Sequence, residues 1–204
     1  MSERSQSAKD AAARALADEE ALKALVDDLS GPSRRSRQNA AAALAELAKD
    51  HPKVLVPYGA AVVDALNRPE AQTRWECLEV LCALVSCDSR TCDKALAGAE
   101  AALFDEEHGW VRLSAMRFLC RLGSTTENRS EKTWPLIDEA IQCYHGDPEF
   151  QDMLVAVIDY SAGKLSPRVR EELCARMEFD ATRGKGALRR RAEQIVANAQ
   201  PKTT

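Results

Sequence analysis

The sequence predicts an all-α protein, a right-handed superhelix of about five helix pairs. Three observations predict it. A basic or amide residue recurs at Arg37, Arg74, Arg112, Gln151 and Arg189, at intervals of 37, 38, 39 and 38 residues. Apolar residues follow each of these at +3, +6 and +7, and all but one at +10, which is the buried stripe of an amphipathic helix. No segment alternates as a strand would.

The second helix of each pair is read from these columns. Position +3 is Ala40, Cys77, Ala115, Leu154 and Ala192, and position +7 is Leu44, Leu81, Leu119, Ile158 and Val196. Position +6 is likewise apolar throughout, and position +10 fails only at Ser161. The first helices are expected at Asp18–Leu29, Val54–Leu66, Cys92–Phe104, Trp134–Tyr144 and Val169–Met177. Breakers separate the elements at Gly31-Pro32, His51-Pro52, Arg68-Pro69, Gly146-Asp147-Pro148 and Ser166-Pro167. The repeats then run roughly over 15–50, 51–88, 89–126, 127–164 and 165–199. They form one domain over 9–199, with disordered ends at 1–8 and 200–204.

Trp110-Val-Arg112-Leu-Ser-Ala115 and Asp147-Pro-Glu-Phe-Gln151-Asp-Met-Leu154 resemble the aspartate-proline, valine-arginine and alanine run of HEAT repeats. The resemblance covers about residues 15 to 199 and implies an armadillo-like α-solenoid. Stacked pairs share one core because a single pair cannot bury its stripe alone. In the HEAT pattern the second helices line the concave face. Positions +1, +5 and +8, opposite the buried stripe, are therefore expected in the groove. Its middle would comprise Trp75, Glu79, Cys82, Leu113, Arg117 and Cys120, with Asp152 in the same columns further on. A tryptophan beside charged groups suits a protein partner.

Composition narrows the function classes. The 204 residues carry a net charge of −4 and are 45% hydrophobic. Residues 183–204 hold six basic residues and one acidic residue, which leaves 1–182 at −9. The acidic balance argues against nucleic acid as a general partner. The basic end, Arg183, Lys185, Arg189, Arg190 and Arg191, is the one stretch suited to an acidic partner. No apolar run reaches the roughly 20 residues of a membrane span, and nothing directs export, so a cytoplasmic protein is expected. Seven cysteines, an odd number, fit a reducing compartment. Cys77, Cys82, Cys87 and Cys92 follow at intervals of five, which turns successive sulfurs about 140° around a helix and away from a common metal. The histidines, His51, His108 and His145, all fall at expected turns.

Phosphate-loop, metalloprotease and nucleophile-elbow motifs are absent from the sequence, and no metal or cofactor is called for. One constellation resembles the HEAT-fold alkylpurine DNA glycosylases. Trp75 and Glu79 lie one turn apart, and Trp110-Val-Arg112 opens the next groove helix. The resemblance implies Trp75, Glu79 and Arg117 as a site for a cationic damaged base, where an aromatic face and a carboxylate stabilise positive charge. The set is incomplete, with Glu79 in place of aspartate and Leu113 where arginine is expected. The expected function is thus a non-catalytic scaffold or adaptor that binds a protein partner along the concave face. The alternatives are glycosylase-like DNA recognition and a small-ligand or lyase-like array.

Overall fold

All regular structure in the computed structural model is helical, and the model describes residues 3–200. By its contacts the chain divides into two compact units, Met1–Ala115 and Met116–Thr204.

The first unit opens with α1 (Glu3–Ala17), α2 (Glu19–Asp28) and α3 (Arg34–Asp50). Helix α1 occupies residues expected to lack structure at 3–8. Its sequence is rich in helix formers, Gln6 Nε2 donates to Asp10 Oδ1 at 2.9 Å, and Ala12 and Ala15 are buried where α1 packs on α2 and α3. Residues 1, 2 and 201–204 lie outside the described chain. Asp18 starts α2 by accepting the Glu20 N–H at 3.0 Å, and Ser33 starts α3 by accepting that of Ser36 at 3.3 Å. The stripe predicted for α3 is buried at Ala40, Ala43, Leu44 and Leu47, and α3 packs on α1, α2 and α5 (Ala71–Leu84).

Two of the expected first helices are each split in two. Residues 52–58 form a 3₁₀ helix, Pro52–Tyr58, followed by α4 (Gly59–Ala65). Pro57 has no N–H to continue an α-helical ladder there. In the next repeat α6 (Ser89–Asp93) stops short of α7 (Leu96–Leu103). Asp88 caps α6, and the Cys92 thiol donates to the Leu81 carbonyl at 3.6 Å, which ties α6 to the end of α5. Helix α8 (Gly109–Gly123) carries the chain from the first unit into the second.

The second unit continues with α9 (Glu127–Cys143), α10 (Phe150–Ser161), α11 (Pro167–Arg183) and α12 (Gly186–Ala199). Here α12 packs on α10 and α11, and α11 on α9. Ser166 caps α11 and Pro167 takes its first position, where a missing N–H costs nothing. The buried Tyr160 hydroxyl donates to the Ser130 carbonyl at 3.1 Å, and the Ser166 N–H donates to Ser130 Oγ at 3.0 Å. Ser161, the exception in its apolar column, is fully buried. Its hydroxyl donates to the Ile158 carbonyl at 2.6 Å and accepts from Asn198 Nδ2 at 3.0 Å. A buried hydroxyl with both roles filled avoids the cost of an unpaired polar group.

Candidate functional site

Two of the recurrent basic residues, Arg37 and Arg74, link their groove helices to the next repeat. Arg37 donates from Nη1 to the Gly31 carbonyl at 2.7 Å, and from Nε (3.2 Å) and Nη2 to the Glu70 carboxylate. Glu70 precedes α5 but does not cap it, because its side chain is turned to Arg37. This guanidinium holds the Glu70 carboxyl below the usual carboxylate range. One repeat on, Arg74 Nη2 donates to Asp105 Oδ2 at 2.6 Å. Asp105 also accepts the N–H groups of Glu107 at 3.0 Å and His108 at 2.7 Å, with His108 Nδ1 3.0 Å away. Arg112 then donates to the Asp105 carbonyl at 2.9 Å. Burial pushes the Asp105 carboxyl up, but the hydrogen bonds from Arg74, His108 and the two backbone groups outweigh it and hold it at about 2.

These links fix the walls of a cleft of about 640 Å³ in the first unit. Arg34 and Gln38 from α3 and Ala71, Gln72 and Trp75 from α5 line it, together with Pro69, Glu70 and His108 from the connections. The indole supplies a flat apolar face, and the two glutamines can each donate and accept. Glu70 is spent on Arg37, and one nitrogen of His108 is spent on Asp105.

The predicted groove residues divide. Trp75, Glu79 and Cys82 are half-buried on α5, and only Trp75 lines the cleft. The Glu79 carboxylate accepts the Ser114 hydroxyl at 2.9 Å. Leu113 and Cys120 were expected to be open, yet they are 1% and 2% exposed. The helical wheel marked only the side facing the helix of the same pair. In a stack the flanks are covered too: Ala45, the same column as Cys120, is buried on α3, which packs on α1, α2 and α5. Arg117 is half-buried and Asp152 exposed, both in the second unit.

The basic end is partly consumed internally. Arg183, Lys185, Arg189 and Arg190 are exposed, but Arg189 pairs with Glu193 at 2.8 Å and Arg191 donates to Gln151 Oε1. The four cysteines at intervals of five differ in exposure, with Cys77 and Cys92 buried and Cys82 and Cys87 half-buried.

Trp110 falls in none of the groove columns, yet it is 67% exposed. The signal was available in its column. Two residues before the recurrent basic position stand Arg35, Gln72, Trp110, Glu149 and Ala187, so a large aromatic there is out of character.

No protein-family model and no curated protein sequence matches the chain. Solved structures do. A computationally designed armadillo repeat protein for modular peptide recognition superposes with a TM-score of 0.74 at 15% identity, covering 96% of this chain and 91% of the other. The fold is an armadillo-like α-solenoid. A second designed armadillo repeat protein, in complex with the peptide (KR)4, gives a TM-score of 0.76 at 16% identity, with 97% and 90% covered. An engineered protein from a structural genomics programme gives 0.72 at 16%, with 98% and 99% covered. Among the described residues of the solenoid, no helix is long and apolar enough to cross a membrane.

Proposed function

We propose that this solenoid is a non-catalytic adaptor that binds an extended segment of a protein partner along the exposed face of its second helices. The observation that carries the reading is the cleft, where Trp75 stands with Gln38 and Gln72 at the start of adjacent groove helices. Two structural neighbours support it, one designed for modular peptide recognition and one holding a peptide. The amides would bond the main chain of the segment, and the indole would receive a side chain. The cytoplasm, where the sequence reading places the chain, would supply the partner.

The test is selection of peptides from a random library on the immobilised full-length chain. Selected peptides should bind the native protein, and Trp75→Ala should weaken them about tenfold, as truncation of an interface anchor does. Unchanged affinity after that substitution would move the site off this cleft. Release of methylated purine from alkylated DNA by the purified chain, lost in Glu79→Gln, would replace the adaptor reading by an enzymatic one.

A further inference from the structure

The exposed indole of Trp110 is not explained by packing. It stands at the second residue of α8, in a column where the other repeats carry Arg35, Gln72, Glu149 and Ala187. His108, two residues earlier, lines the cleft that Trp75 also lines, which ties the segment Glu106–Trp110 to the cleft through that one residue. The three acids preceding it have different employment. Asp105 is fully engaged by Arg74, His108 and two backbone N–H groups. Glu106 and Glu107 are exposed, and neither carboxylate has a hydrogen-bond or ion-pair partner among the described residues. The first unit as a whole holds 14 basic and 19 acidic side chains.

From this juxtaposition we infer that the rim Glu106–Trp110 docks a lysine- or arginine-bearing stretch of the partner segment, beside the main-chain contacts made in the cleft. The inference rests on the peptide-binding reading and names the chemistry of its partner. An indole face attracts a cation through its quadrupole, and free carboxylates within four residues add charge-assisted hydrogen bonds. The same charges repel an acidic segment, so the rim selects as well as attracts. Exposed carboxylates are screened by salt, which gives the contact a measurable ionic-strength dependence.

The experiment is fluorescence anisotropy of labelled octapeptides on the full-length chain at low salt: alternating Lys-Arg, alternating Glu-Asp and alternating Gly-Ser. The Lys-Arg peptide should bind best and weaken as salt rises. Trp110→Ala should reduce its affinity about three- to tenfold. Glu106→Gln with Glu107→Gln should reduce it similarly and flatten the salt dependence. All three residues are exposed, so circular dichroism should remain that of the parent and exclude misfolding as the cause. Equal affinity for the acidic peptide, or no loss in either variant, overturns the inference. If Trp75→Ala weakens binding while the rim variants do not, the cleft reading survives and the rim reading fails. If no peptide of any class binds, both fail.

Discussion

At the scale of single residues, the seven free cysteines report how the solenoid buries its faces. Cys143 is exposed, Cys82, Cys87 and Cys174 are half-buried, and Cys77, Cys92 and Cys120 are buried. Burial, with the charge of Glu76, pushes the Cys77 thiol far above its ordinary value, and burial raises Cys174 against the opposing charge of Arg170. The thiolate is the reacting form, so burial and a raised pKa both protect. Alkylation in native buffer, followed by mass spectrometry, should modify Cys143 first and the half-buried three more slowly. Cys77, Cys92 and Cys120 should react only after denaturation. Early modification of Cys120 would show that it opens to the groove after all, as the helical wheel alone suggests. The wheel misplaces it because it knows one packing partner and a stacked helix has several.

At the scale of elements, a tight helix junction lies in the second unit. Gly123 ends α8, and a methyl group there would stand 2.1 Å from Thr133 Oγ1 and 2.8 Å from Tyr160 Cε2. Neither neighbour can yield cheaply. The Thr133 hydroxyl donates to the Arg129 carbonyl at 3.0 Å, and Tyr160 is fully buried with its own hydroxyl bonded to Ser130. Gly123→Ala should therefore cost about 1–3 kcal/mol in urea unfolding, the range for an overpacked interior. Gly146→Ala is the informative contrast, since its φ of 98° strains any side chain but nothing lies near the added carbon. A cost at Gly123 no larger than at Gly146 would mean the junction relaxes. The elements themselves were mostly legible. Four apolar columns recurring over five repeats located every groove helix, and Ser166-Pro167 located the start of α11. Helix α1 was missed because the repeat frame begins after it. The division between α6 and α7 was unreadable because Lys94 and Ala95 carry no breaker. The site was legible only in part: Trp75 follows from its column, whereas Glu70 and His108 reach the cleft from connections that no helical period describes.

At the scale of the whole molecule, a solenoid has no single centre, and its stability is summed from contacts between neighbours. The carboxyls held below their ordinary range, Glu70, Asp88 and Asp105, all lie in residues 1–115. A depressed carboxyl contributes stability that is fully present above its unfolded value and is lost as pH falls through the folded one. For Asp105 that window runs from about pH 4 down to about 2, and the shift corresponds to roughly 2–3 kcal/mol. Acid should therefore weaken the first unit through the Arg37–Glu70 and Arg74–Asp105 links. The tryptophans allow the comparison, because Trp75 and Trp110 belong to the first unit and the buried Trp134 to the second. Single-tryptophan variants made with Phe at the other two positions should show urea midpoints that fall further at pH 3 for the Trp75 reporter than for the Trp134 reporter. Asp105→Asn should lower the Trp75 midpoint at pH 7 and abolish part of its acid dependence. Equal displacement of both reporters would mean that the repeats unfold as one cooperative body, with local links felt everywhere.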